Sequence, residues 1–265
     1  MNNLSIFCVT DKPLKYLEDL DVNLVGVGKG EFSQKYITCL NGKNIQKKEK
    51  HYSELTFHYW FWKNKLKNYR DSDWIGFCQK RRFWLNSRSH REDKDISSII
   101  LKKVPKEWEE YESVLCEPIP LGTKLSKLLK RGWRNIIKKP RLLFDHHRIN
   151  IRTQFDLHHG YGVLEKAIKV MNEKDKSDFT EFVDRNTTYN PHIMFISKKK
   201  FLNNFFKDQF EWLFECEKIF GFENLKGYDQ TRLYAFLAER YMPFWFRKYS
   251  KTIEWPWIFS DSHLL

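Results

Sequence analysis

The sequence predicts an α/β protein with a mostly parallel sheet flanked by helices and a helical carboxyl-terminal part. Three observations carry this. Short runs of β-formers stop at turn residues, at Leu4 to Thr10 before Asp11-Lys12-Pro13 and at Val22 to Val27 among Gly26, Gly28 and Gly30. Helically spaced segments separate such runs, which is the pattern of βαβ units rather than of a sandwich. From Lys199 to Ile219, and again from near Tyr228, the chain reads as long helices.

Between His51 and Leu66 the positions Leu55, Tyr59, Trp62 and Leu66 recur at helical spacing, with Ser53 as the candidate cap. That stripe places Trp62 in the core and leaves Trp60 as the more open ring. Trp74 to Cys78 is a buried strand that discharges into three cations, Lys80, Arg81 and Arg82. Ser113 to Pro120 is a further strand, and a basic, helix-prone segment follows to Lys139, where Pro140 breaks it. Gly160 to Arg185 is expected to be largely helical. Tyr189-Asn190-Pro191 marks a turn before an apolar strand from His192 to Ser197.

At 265 residues the chain suffices for a single domain with a substantial core, read as a half over 1–122 and a half with a helical annex over 123–265. With 41% hydrophobic and 17% aromatic residues, disorder is excluded. There is no apolar run of spanning length, and Met1-Asn2-Asn3-Leu4 lacks the regions of a signal peptide, so a cytoplasmic protein is expected. Cys8, Cys39, Cys78, Cys116 and Cys216 have no paired spacing that would indicate zinc or disulfides, and Cys8, Cys78 and Cys116 read as buried thiols.

The net charge of +13 attracts nucleic acid, anionic membrane and phosphorylated small molecules alike. No nucleic-acid recognition motif accompanies it, so nucleic acid is not an expected partner, and a basic nucleic-acid-binding protein stands as an alternative on charge and aromatics alone. The basic concentration from Lys124 to Arg152 reads either as a solvated helix face or as a peripheral contact with the anionic inner membrane face.

Ligands of α/β proteins sit at the carboxyl ends of strands, so cations there point to an anionic substrate. The last helix offers Asp229, Arg232, Phe236, Glu239 and Arg240, of which 232, 236 and 239 share a face. Pro243 should bend or end that helix beside Glu239, and an internal ion pair is the plainer reading of these charges. Asp71-Ser72-Asp73 precedes its strand and lies at the wrong end for a metal at the cations. His146-His147 and His158-His159 lack a completing ligand, and Trp60, Trp62 and Phe83 are candidates to offer an aromatic face to a ligand.

The order Gly42-x-Asn44-Ile45, Glu54-Leu55-Thr56, Tyr59-Trp60-x-Trp62-Lys63-Asn64, Ile75-Gly76-Phe77-Cys78 with Arg81-Arg82-Phe83, His192-Ile193-Met194-Phe195-Ile196, and Arg232-x-x-x-Phe236-Leu237-x-Glu239-Arg240 resembles a bacterial capsular- and exopolysaccharide-synthesis family. That family, long catalogued as a domain of unknown function, is regarded as GT-A-like glycosyltransferases. The similarity spans about residues 4 to 248. Two departures stand out, Gln79-Lys80 where relatives read His-Tyr before the arginines, and Thr10-Asp11-Lys12 where they read Thr-His-Lys.

The resemblance implies a GT-A-like, Rossmann-type domain that takes a nucleotide-diphosphate sugar and a saccharide or lipid-linked acceptor. Arg81 and Arg82, with Lys80 and Lys63, are then expected to hold the diphosphate directly. No cofactor is required on this reading, with Mn2+ or Mg2+ as the alternative. Thr10, Lys12, Glu54, Trp60, Gln79, His192, Arg232 and Arg240 complete the expected substrate-binding set. Glu239, held by Arg232 or Arg240, is the first candidate for general base and Asp229 the second, while the stereochemistry stays open. A non-catalytic sugar- or nucleotide-binding relative is the other alternative.

Overall fold

The computed structural model describes residues 3–88, 96–121 and 149–260. The basic residues Lys124 to Arg148, the segment ending at Pro140 and the His146-His147 pair lie outside the described residues. The chain divides into two compact units, Met1–Glu117 with His192–Asp208 and Trp245–Leu265, and Pro118–Pro191 with Gln209–Phe244.

In the first unit β1 (Leu4–Thr10), β2 (Asn23–Gly26) and β3 (Ile37–Thr38) precede helices α1 (Glu49–Tyr52) and α2 (Leu55–Asn64). Then come β4 (Trp74–Gln79), β5 (Arg82–Trp84), α3 (Ile96–Ile99) and β6 (Ser113–Cys116). The second unit holds β7 (Ile119–Pro120), α4 (Ile151–His159), α5 (Val163–Lys169), α6 (Glu173–Arg185) and β8 (Thr188–Tyr189). The chain continues through β9 (Phe195–Lys198), α7 (Lys199–Phe220), α8 (Tyr228–Thr231) and α9 (Leu233–Tyr249), and closes with β10 (Thr252–Trp255) and β11 (Trp257–Phe259).

The sheet order is β10-β6-β9-β4-β1-β2-β3, with β5 joining β4 to β11. Pairs β1 with β2, β1 with β4, β2 with β3 and β10 with β6 are parallel, and β9 runs antiparallel between β4 and β6. The predicted mostly parallel sheet flanked by helices is therefore present, with a helical part from Lys199 to Tyr249. Alternation of side chains along the strands divides its residues between two buried faces. Ile6, Cys8, Trp74, Cys78, Val114, Cys116, Met194 and Ile196 form one cluster with Trp108 and Trp255. Gly76 admits Ile196 there, since an added Cβ would lie 2.6 Å from Ile196 Cγ1. The thiol of Cys78 is pushed well above its ordinary pKa by its hydrogen bond with Cys8 and by burial, which keeps it protonated.

The opposite face is aromatic. Phe7 lies 5.0 Å from Phe61, Phe77 4.9 Å from Phe195, and Phe195 5.1 Å from Phe205. His58 is enclosed there, 4.3 Å from the Phe77 ring, and its Nδ1 has no hydrogen-bond partner among the described residues. Burial lowers its pKa from 6.5 to about 3. The folded state thus holds a neutral imidazole that the unfolded chain protonates below pH 6.5, so the stabilisation is complete above that pH and is lost as pH falls toward 3. Urea titrations should show unfolding free energy dropping by about 1.4 kcal/mol per pH unit below pH 6. His58→Leu should flatten that slope between pH 6 and 5, and an unchanged slope would contradict the assignment.

Several sequence expectations need correction. The helix from His51 to Leu66 is two helices, and Ser53 does not cap the second. Its φ of 51° places it in the left-handed region between them, and Glu54 occupies the cap position. The predicted strand from His192 begins only at Phe195, because His192 and Ile193 have φ of 77° and 52°. Gly160 to Arg185 is largely helical as expected, as the two helices α5 and α6. Trp255 to Phe259 supplies the end of β10 and all of β11.

In the second unit Asn150 Oδ1 accepts from the Thr153 amide at 2.8 Å and Asn172 Oδ1 from Lys174 at 3.1 Å, which starts α4 and α6. Phe179 packs 5.7 Å from Trp212 and 5.1 Å from Phe244. Trp212 Nε1 donates to Ala167 O at 2.8 Å, and the Tyr241 hydroxyl to Asp175 Oδ2 at 3.1 Å.

Candidate functional site

In the first unit, the carboxyl ends of β1 and β4 lie side by side, with Val9 in register with Gln79. Beyond β4 the chain reverses through Lys80 and Arg81, so that Gln79 pairs with Arg82 at the start of β5. The three cations are therefore the tip of a hairpin. Beyond β1, Thr10 Oγ1 donates to Lys12 O at 2.6 Å and accepts from the Lys12 amide at 3.1 Å, closing a turn that leaves Lys12 exposed. Lys80 N donates to Val9 O at 3.1 Å, its ammonium pairs with Asp11, and its carbonyl accepts from Tyr16. Arg81 and Arg82 are half-buried, each guanidinium 5.5 Å from the ring centroid of Phe259, and Ser260 N donates to Arg81 O at 3.0 Å. The last strand thus fastens the cationic tip. Phe259, 48% exposed, was not legible as part of this cluster, because β11 pairs with β5 across most of the sequence.

Gln79 sits at the junction. Its Nε2 donates to the Glu54 carboxylate and, at 2.7 Å, to His192 O, while its Oε1 accepts from Arg82 Nη1 at 2.9 Å. Glu54, Gln79, Arg82 and His192 of the expected set are therefore together. The His192 ring meets Trp257 edge-on at 4.8 Å.

Other expected members lie apart or inward. Lys63 follows Glu54 by nine residues, about 14 Å along an α-helix, and its Nζ sits 3.1 Å from the Trp62 ring centroid, so it does not join the hairpin cations. Trp60 is 7% exposed and donates to Asn41 O, whereas Trp62 is half-buried with Nε1 3.0 Å from Asn203 Oδ1, the reverse of the expected order. Leu55 and Leu66 of the expected stripe are buried, but Phe57, Trp60 and Phe61 turn inward where Tyr59 and Trp62 were expected to. Phe83 is 1% exposed and packs in the core rather than offering a stacking face. At the opposite end of β4, Asp71 pairs with Lys199 at 2.7 Å and Asp73 with Arg70 at 2.9 Å. The hydrogen bond from Arg70 holds the Asp73 carboxyl below its usual pKa.

In the second unit, Glu239 and Arg240 form a buried ion pair, 8% and 2% exposed. Arg240 Nη2 donates to Gln154 Oε1 at 2.9 Å, and the guanidinium lies 4.3 Å from the Tyr189 ring centroid. Arg240 was one of the two partners expected for Glu239, and since adjacent residues do not share a helix face, it is the reach of the arginine that makes the 239–240 pair. Arg232 closes α8 and donates Nη1 to the Tyr228 hydroxyl at 3.2 Å. Asp229, half-buried in α8, gives its carbonyl to His159 Nδ1 at 2.7 Å, and His159 stacks on Phe236 at 4.2 Å. Helix α9 does not end at Pro243 but runs through it to Tyr249.

Among the described residues no group of three or more His, Cys, Asp or Glu is arranged to hold a metal ion. Among them, too, no helix is long and apolar enough to cross a membrane. A family model, "Domain of unknown function (DUF4422)", matches residues 5–251. No curated protein matches the sequence. Among solved structures, the apo structure of a WbbM bifunctional glycosyltransferase superposes with a TM-score of 0.71 at 19% identity, covering 98% of this chain and 46% of that one. The likeness is one of fold, and this chain spans under half the length of that protein.

Proposed function

The chain belongs to the DUF4422 family, and on that premise we propose that it is a glycosyltransferase. It moves a sugar from a nucleotide-diphosphate sugar to a saccharide or lipid-linked acceptor in surface polysaccharide synthesis. The observation that carries the reading is the hairpin of Lys80, Arg81 and Arg82 at the carboxyl end of β4, on a fold shared with a glycosyltransferase. As the bond between the anomeric carbon and the diphosphate breaks, negative charge grows on the leaving oxygens and must be neutralised. Planar guanidinium forks meet phosphate oxygens in pairs, which suits Arg81 and Arg82 to that task. Asp11 and Glu54, two described carboxylates at the hairpin, are engaged by Lys80 and Gln79, which supports a proposed chemistry that proceeds without a divalent metal.

On the acceptor side the burial of Glu239 against Arg240 favours Asp229, the more exposed carboxylate, as the group that takes the acceptor proton in an inverting reaction. A cytoplasmic protein in peripheral contact with the inner membrane face is proposed from the basic residues between Lys124 and Arg152.

The reading is tested by a thermal-shift screen of the full chain against UDP-, GDP-, ADP- and CDP-sugars and their diphosphates. Stabilisation by one nucleotide series, followed by turnover of its sugar, is expected. Salt-dependent retention of oligonucleotide with no response to any nucleotide sugar would replace it by the nucleic-acid reading.

A further inference from the structure

The carboxamide of Gln79 has three partners whose chemistry fixes which way it points. Its oxygen and nitrogen exchange places by a simple rotation, so an amide takes its orientation from its neighbours. Two of the neighbours, the Glu54 carboxylate and the His192 carbonyl, only accept, and the third, the Arg82 guanidinium, only donates. The rotated amide would set its oxygen against two acceptors and its N–H groups against a cation. One orientation alone satisfies all three, and in it Oε1 faces Arg82.

The backbone around these partners is strained. Glu54 follows Ser53 at φ 51°, and the accepting carbonyl belongs to His192 at φ 77°, with Ile193 at φ 52° after it. None is a glycine, and a β-branched residue at positive φ is a pronounced outlier. Such conformations are costly and persist where the surroundings enforce them. Here they flank both acceptors of one amide.

Gln79 also separates two opposite charges. A carboxylate and a guanidinium in direct contact make the stronger, bidentate pair. With the amide between them, Glu54 polarises Gln79 toward Arg82 without covering the guanidinium.

We propose that Gln79 is a positioning residue, which orients Arg82 toward the leaving diphosphate and keeps Glu54 from pairing with it. The proposal rests on the glycosyltransferase reading and deepens it at the same hairpin.

The test measures calorimetric affinities of the full chain for UDP, GDP, ADP and CDP and for the matching nucleosides, in wild type, Gln79→Leu, Arg82→Ala and the double variant. Removing one hydrogen bond to a charged group should weaken diphosphate binding about tenfold. Nucleoside affinity should stay within about twofold, and Gln79→Leu should add nothing in the Arg82→Ala background. A second variant, Glu54→Gln with Gln79→Glu, keeps a hydrogen-bonded pair but sets a carboxylate on Arg82, and it too should weaken diphosphate binding about tenfold. A ligand-free readout accompanies these, the 15N NMR signals of the Arg82 guanidinium, which should lose order in Gln79→Leu. Equal loss for diphosphate and nucleoside, additive losses in the double variant, or an Arg82 as ordered as in wild type each overturns the proposal. A wild type that binds no diphosphate overturns the functional reading instead, while the NMR comparison still decides whether Gln79 positions Arg82.

Discussion

Replacing Arg81 and Arg82 together by alanine is expected to lower affinity for the donor's nucleoside diphosphate by a hundredfold or more. A hydrogen bond to a charged group contributes about 1.5–3 kcal/mol, and the double variant removes at least two. Both side chains are only half-buried and border the exposed Phe259, so the fold should survive the change. Unfolding in urea with a midpoint close to wild type would establish that, and calorimetric titration reads the affinity. Binding within threefold of wild type would remove the hairpin from donor recognition.

Glu239→Leu is expected to destabilise the protein by about 3 kcal/mol, because it strands a guanidinium that is 2% exposed and whose Nε already has no hydrogen-bond partner among the described residues. Adding Arg240→Met should recover most of the loss, since a buried ion pair can be replaced by apolar groups at little cost where removal of one partner cannot. Urea denaturation of the two variants measures this. Transfer rates then separate roles: activity that returns with stability in Glu239→Leu/Arg240→Met marks a structural pair, and a folded but inactive double variant restores Glu239 as the base. Asp229→Asn, by contrast, should leave stability nearly unchanged while slowing transfer at least a hundredfold.

How much of this was legible follows from where the information resides. Leu4–Thr10 and Lys199–Phe220 were readable to within a residue, because an apolar run ended by Asp-Lys-Pro and a long amphipathic stretch are local signals. The hairpin cations were legible as a cluster after a strand. Their fastening to Phe259 was not, because a strand gives no sign of a partner far along the chain. Trp60 and Trp62 exchanged roles because the helix phase is set by Ser53 in a conformation that serine disfavours, which no propensity predicts. The same holds at His192 and Ile193, where an apolar sequence that reads as strand is bent to aim a carbonyl at Gln79. The sequence-level departures from rule therefore coincide with the residues converging on Gln79.

The central claim is that fixed cations rather than a metal ion hold the donor diphosphate. The most direct measurement is the calorimetric dissociation constant of the preferred nucleoside diphosphate for the wild-type chain, first in EDTA and then in excess manganese or magnesium. The account predicts the same affinity within about threefold in each condition. Binding that disappears in EDTA and returns with the metal would contradict it.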